Sequence, residues 1–332
     1  MRVRVVVFLA ASCLALASIA SLDAAKKPRT PYSYYLTGSA ADVTPPTSAG
    51  TVLMGGGTDV DDAFRWQIAR SGGGDFVVIR ATGTNGYNKY INRLGTVDSV
   101  ETLVIPSIDA ANDPFVITTI ANAEALFIAG GDQADYRNYW KDTGVEGAIA
   151  SLVARGVPIG GTSAGLAILG EIAYTAVNGT ITSSEALANP YDTRVTLETG
   201  FVALPFLAGT ITDSHFVERD RMGRTVAFVA RNVQDGLASP ARAIGIDSLT
   251  ALLVDGDGTV SVVGSGAAYF IASAGVPTVC APGLPLTYAN LGVYRVSAGA
   301  TFDLVSWTGA GGTPYTISAQ AGALSSSIAT VY

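Results

Sequence analysis

The chain has 332 residues, of which 48% are apolar and only 14% charged, so it can build a large core and is not a disordered protein. Its net charge of −7 argues against nucleic acid or an anionic membrane surface as a partner.

Residues 1–20 read as a signal peptide. Arg2 and Arg4 form the basic start, Val5 to Ala17 an apolar stretch too short for a membrane span, and Ser18-Ile19-Ala20 a small-residue cleavage site. This predicts a secreted or periplasmic protein with no membrane attachment after cleavage. Cys13 lies in that segment, which leaves Cys280 as the one cysteine of the mature chain and no intrachain disulfide. Residues 21–48, rich in Pro, Ser and Thr, are expected to be an exposed lead-in.

Thr51 to Met54 predicts a buried strand, and Gly55-Gly56-Gly57 after it predicts a turn where backbone must approach closely. Asp59 to Arg70 predicts a helix with Val60, Phe64 and Ile68 on one face. Asp75–Arg80, Thr102–Ile105 and Ala125–Ile128 predict further strands, with a helical segment near Asp113 to Ala123. These strands are apolar runs without alternation, the mark of a parallel sheet covered on both faces. Thr143 to Arg155 predicts a helix opened by a Thr143/Glu146 capping box and closed by Gly156. Strands alternating with helices predict an α/β domain over residues 49–275, built on a doubly wound, mostly parallel sheet. From Ile244 the texture changes to short strands, Ile244–Ile246, Ala251–Val254, Val260–Val263 and Ala267–Ile271, with a hairpin turn at Asp255-Gly256-Asp257-Gly258. Residues 276–332 read as strand and turn only, and predict a small C-terminal β appendage.

Ile159-Gly160-Gly161-Thr162-Ser163-Ala164-Gly165-Leu166 reads as strand, sharp turn and helix, the helix running from Ala164 to Tyr174. In Gly-x-Ser-x-Gly the small neighbours allow a tight turn that presents the serine at the carboxyl end of a strand. The Ala164 N–H then opens a helix, where it can hold a developing negative charge. Alone, the pattern fits a glycine-rich turn with an incidental serine equally well. His215 is the one histidine of the chain, so a Ser-His mechanism has a single base to use. A catalytic zinc site, which mostly needs two or three histidines, is disfavoured. No nucleotide-binding glycine pattern follows the first strand, and the expectation is no cofactor and no metal. Arg219, Arg221 and Arg224 crowd into six residues of an acidic chain; they fit a solvated helix face or a carboxylate-binding cluster. Gly130-Gly131-Asp132-Gln133 ends the strand Ala125–Ile128 on the rim of Ser163. There the Gly131 amide can serve as a second oxyanion donor beside Ala164, and Gln133 can point its amide into the cleft.

In order and spacing, Gly130-Gly131-Asp132-Gln133, Gly161-Thr162-Ser163-Ala164-Gly165, Asp213-Ser214-His215-Phe216 and Arg219-x-Arg221-Met222-Gly223-Arg224 resemble the cyanophycinases. These belong to the serine peptidase family that also holds aspartyl dipeptidase. The resemblance covers roughly Val52 to Gly264. It implies a fold like that of class I glutamine amidotransferases, with Ser163 as nucleophile and His215 as general base. It places Gln133, Asp213, Arg219, Arg221 and Arg224 at the substrate pocket. It also implies a triad glutamate between serine and histidine, which points to Glu185, with Glu171 and Asp192 as alternatives. The implied substrate is an aspartyl peptide, the β-Asp-Arg units of a cyanophycin-like polymer among them, cut through an acyl-enzyme. The oligomeric state stays open, a homodimer included.

One position departs from the pattern: Ser248 stands where relatives tend to carry glutamate. If that glutamate reads the arginine of cyanophycin, Ser248 directs this chain to another substrate. Two other readings compete. An α/β-hydrolase esterase shares the order serine, acid, histidine, but places its histidine near the chain end. An exported binding protein with an inactive amidotransferase-like fold would have no use for the Ser163/His215 pair.

Overall fold

A computed structural model describes residues 30–332; the expected signal peptide lies outside the described residues. The first half runs β1 (Ser33–Gly38), β2 (Gly50–Met54), α1 (Asp61–Arg70), β3 (Asp75–Arg80), α2 (Gly86–Asn92), β4 (Ser99–Val104), α3 (Ile108–Ala111), α4 (Pro114–Asn122), β5 (Ala125–Ile128), α5 (Gln133–Trp140), α6 (Gly144–Arg155) and β6 (Ile159–Thr162). It continues with α7 (Ala164–Ala167), β7 (Ile172–Tyr174), α8 (Ser183–Ala188), β8 (Leu197–Thr199), β9 (Thr210–Asp213), α9 (Met222–Gln234) and β10 (Arg242–Ile246). The rest is strand: β11 (Thr250–Asp255), β12 (Thr259–Gly264), β13 (Ala267–Ala272), β14 (Tyr288–Ser297), β15 (Thr301–Asp303), β16 (Thr308–Ala310), β17 (Thr313–Gln320) and β18 (Ala323–Ser326).

The strands form two sheets. The first has the order β1-β4-β3-β5-β6-β2-β11-β12-β15-β16, and β4-β3-β5-β6-β2 are parallel throughout. These are the apolar runs of the sequence: in β3 every residue from Asp75 to Ile79 is buried, and in β5 every residue. The second sheet, β18-β17-β14-β13-β10-β9-β7-β8, is antiparallel except where β9 meets β10 and β7. Ile244, Ile246, Phe270 and Val296 from the second sheet share one core with Leu252, Val260, Val262 and Phe302 from the first. Phe270 stacks on Phe302 at 3.9 Å between centroids.

The doubly wound description therefore holds for five parallel strands, and the second, mainly antiparallel sheet is an addition to it. Residues 276–332, expected as a separate appendage, extend both sheets: β15 and β16 lengthen the first, and β14, β17 and β18 the second. The expected lead-in supplies β1, which pairs antiparallel with β4 along the sheet edge. The helix expected over Ala164–Tyr174 lasts one turn, and Ile172–Tyr174 instead forms β7 against β8 and β9. A short apolar run fits a strand as well as a helix, and here cross-strand partners decide. Helix α6 closes at Gly156 (φ 72) as expected, but without its capping box. The Thr143 hydroxyl donates to the Trp140 carbonyl, and Glu146 accepts from the Asp142 N–H.

Candidate active site

Parallel strands release their loops at a common end, and the polar chemistry collects there. β2 and β6 are parallel neighbours, so the Gly55-Gly56-Gly57 turn after β2 lies beside Ser163 after β6. β9 and β10 are also parallel neighbours, with Asp213 opposite Gly245. His215, two residues past β9, and Ser248, two past β10, leave the second sheet side by side.

Ser163 takes φ 52 and ψ −114, a conformation that costs a non-glycine residue about 1–3 kcal/mol. Two hydrogen bonds hold it there: Ser163 N–H donates to Met54 O at 3.1 Å, and Ala167 N–H donates to Ser163 O at 3.0 Å. The second glycine of the motif is required by packing, since a Cβ on Gly165 would stand 2.1 Å from the Ile128 carbonyl oxygen. The turn directs Ser163 Oγ to 2.9 Å from His215 Nε2. His215 also has a positive φ, 46, and its N–H donates to Gly55 O at 2.8 Å. Gly56 lies against both: a Cβ there would come within 2.4 Å of His215 Cε1 and 3.1 Å of Ser163 Cβ. The close approach expected of this glycine run is to the serine and the histidine themselves.

The other imidazole nitrogen meets no carboxylate. His215 Nδ1 lies 2.8 Å from Ser248 Oγ, and Ser248 N–H donates to both carboxylate oxygens of Glu218 at 3.1 Å. Glu185, expected as the triad acid, is engaged elsewhere. It forms a capping box with Thr182 at the start of α8 and pairs with Arg194 at 3.0 Å. Asp192 is paired with the same arginine, and Glu171 accepts from the Gly209 N–H. The sequence carried the first of these signals, because Thr182-Ser183-Ser184-Glu185 is itself a capping-box pattern. The departure at Ser248 thus bears on the histidine. Glu218 gave no sequence signal of its own.

The expected substrate residues separate into two groups. Asp213 is buried and accepts from Arg224 at 2.6 and 2.8 Å, from Arg221 at 3.0 Å, from Thr225 at 3.1 Å and from Ser214 N–H at 2.9 Å. Arg224 is buried with it, at 3% exposure. Asp213 and Arg224 are therefore a structural ion pair beneath the histidine loop rather than groups facing a substrate. Arg221 belongs largely to the same cluster, with a further bond to the Ser214 carbonyl at 2.7 Å. Arg219 is exposed, and among the described residues no carboxylate is ion-paired to it. Gln133 opens α5 half-buried, with Asp132 capping the helix through Ala134 N–H at 2.9 Å. Gly130 rather than Gly131 lies against Ser163: a Gly130 Cβ would be 3.5 Å from Ser163 Cβ, whereas one on Gly131 would meet the Tyr136 hydroxyl.

These neighbours set the charge of the base. Burial, then Arg219 and Arg221, push His215 down to about 4, against the opposing pull of Glu218 and Asp213. The imidazole is neutral at pH 7 and free to accept a proton. Burial pushes Asp213 up, but Arg224 and Arg221 outweigh it and hold the carboxyl below the ordinary range. Among the described residues no group of three or more His, Cys, Asp or Glu is arranged to hold a metal ion.

Comparison with known proteins gives the same direction. The sequence model of peptidase family S51 matches residues 47–262. The cyanophycinase of Trichormus variabilis is 29% identical over 228 residues, 67% of this chain and 70% of that protein. The cyanophycinase of Synechococcus elongatus is 29% identical over 213 residues, 63% of this chain and 61% of its own length. Among solved structures, a peptidase from an acI-B1 Actinobacterium superposes with a TM-score of 0.53 at 16% identity, covering 78% of this chain and 98% of its own, a likeness of fold.

Proposed function

Because the chain belongs to peptidase family S51 and is a serine-type peptidase, we propose that Ser163 and His215 are its catalytic pair and aspartyl peptides its substrates. The observation that carries this reading is the 2.9 Å contact between Ser163 Oγ and His215 Nε2, on a serine held at φ 52. His215 Nε2 takes the hydroxyl proton as Oγ attacks the scissile carbonyl. The oxyanion is held by the Ala164 N–H and an amide of the Gly130-Gly131 turn. His215 then returns the proton to the leaving amine, and water releases the acyl group.

Ser248 is the orienting residue in place of Glu185. Its hydroxyl accepts from Nδ1–H and so fixes the tautomer that leaves Nε2 basic. It carries no charge, so the imidazolium formed in the transition state has no anion in contact; Glu218, behind Ser248, supplies the nearest opposite charge. The guanidinium of Arg219, without an ion pair among the described residues, supports reading of a substrate carboxylate, as does the half-buried Gln133 on the same rim. A carboxylate bound to Arg219 would cancel a charge that depresses His215, so substrate binding itself would make the base stronger. The N-terminal segment supports export. The resemblance to cyanophycinases supports β-Asp-Arg bonds within the substrate class.

The test is hydrolysis of a β-Asp-Arg dipeptide, cyanophycin, an α-Asp dipeptide and a neutral p-nitrophenyl ester by the purified protein. Release of product from at least one aspartyl substrate is expected. Turnover of the ester alone would favour an esterase, and turnover of none a non-catalytic role.

A further inference from the structure

The opposite rim of the parallel sheet carries a second chemical feature. Asp75 begins β3 and Ser163 follows the end of β6, and β3, β5 and β6 are parallel, so the two residues face opposite ends of the sheet. Next to Asp75 a cavity of about 190 Å³ opens to the surface, lined by the carboxylates of Asp42, Asp75 and Glu101 and by Tyr34, Phe115 and Asn122. Among the described residues no cation pairs with Asp42, Asp75 or Glu101. Glu124, which accepts from Asp75 N–H at 3.0 Å, pairs with Arg155 at 3.3 Å.

Asp75 is only 6% exposed. Ser99 Oγ donates to Glu101 Oε1 at 3.0 Å, and Asp75 Oδ1 has no hydrogen-bond partner among the described residues. A buried acceptor left without a donor is destabilising, more so when charged. Burial, with like-charge repulsion from Asp98 and Asp42 at Asp75 and from Asp75 and Asp42 at Glu101, pushes both carboxyls above the ordinary range. The cavity is thus complementary to a cation that the chain does not supply from its described residues.

The wall chemistry selects the kind of cation. Three acidic ligands are not arranged to enclose a metal ion among the described residues, and the space is far larger than one ion. Its lining is partly aromatic: Tyr34 and Phe115 meet edge to face at 4.9 Å, Phe115 also stacks on Tyr32 at 5.3 Å, and Tyr34 and Phe115 are partly exposed. Carboxylates and aromatic side chains lining one cavity match a guanidinium, which donates in its plane and packs against rings. We propose that this cavity is a second, non-catalytic site that binds the guanidinium of an arginine side chain. The proposal does not depend on the chemistry assigned to Ser163.

Calorimetric titration of the full chain with Nα-acetyl-arginine amide, its neutral citrulline counterpart and calcium chloride tests it. Saturable binding of the arginine probe and none of the citrulline probe is expected, unchanged in Ser163→Ala. Asp75→Asn and Glu101→Gln, both close in shape to the native residues, should each weaken binding by about 10-fold or more. Folding of these variants is checked by their melting temperature. Binding of the arginine probe that both substitutions leave intact would overturn the proposal, as would no saturable binding. Calcium binding that the substitutions abolish, without arginine binding, would overturn it in favour of a metal site.

Discussion

Ser248→Glu would restore a carboxylate at the imidazole nitrogen that now meets a hydroxyl. Ser248 Oγ stands 2.8 Å from His215 Nδ1 and the residue is half-buried, so a longer side chain has solvent on one side to accommodate its extra atoms. An opposite charge at this range favours the protonated form by about 1 to 3 pH units. His215 now titrates at about 4, so the acid limb of kcat/KM should move up by that amount. The sign is fixed by the charge: a raised value keeps the base protonated to higher pH, and activity near pH 5 falls relative to the plateau. The plateau itself should rise, because the carboxylate stabilises the imidazolium of the transition state by about 1.5–3 kcal/mol, roughly 10- to 100-fold in kcat. Ser248→Ala removes the hydrogen bond without adding charge and should lower kcat about 10-fold, leaving the acid limb near its original pH. The assay is kcat and kcat/KM on an aspartyl peptide across about pH 4 to 9 for the three proteins. An acid limb in Ser248→Glu that coincides with the native one would show that residue 248 does not contact the base.

Glu185→Gln should leave kcat within about 2-fold of native, since its carboxylate caps α8 and pairs with half-buried Arg194; its effect belongs in the melting temperature. Asp213→Asn should leave Arg224 buried without a counter-charge and cost about 3–5 kcal/mol, read by denaturant unfolding. Because Asp213 titrates below its unfolded value, its contribution is complete at neutral pH and lost only as pH falls through the folded value. Arg219→Ala should lower kcat/KM about 10- to 100-fold on an aspartyl peptide and leave a neutral ester unaffected. Equal losses on both substrates would return Arg219 to a structural role.

The parallel core was readable because its strands are buried on both faces and therefore apolar without a break, as in Phe76–Ile79. The Gly-x-Ser-x-Gly turn and the lone histidine were readable because each is a local pattern or a unique residue. Strands β7 and β8 of the second sheet were not, since they are three residues each and owe their state to partners distant in sequence. The contact between Ser248 and His215 was missed for the same reason. Ser248 reaches His215 because β9 and β10 run parallel in register, and that adjacency is a property of topology. Glu185 was favoured by its position between serine and histidine, although its own neighbourhood spelled a helix cap. Asp213, Arg221 and Arg224 lie close to the histidine in sequence, yet Asp213 pairs with both arginines, and a spacing of charges along the chain does not report burial.

The central claim is that Ser163 and His215 act as one unit, and the kinetics of Ser163→Ala, His215→Ala and the double variant on an aspartyl peptide test it most directly. Each single substitution should lower kcat by at least ~10³, and the double variant should be little worse than either, with all three melting near the native temperature. Losses that multiply in the double variant, or near-native turnover by Ser163→Ala, would contradict the account.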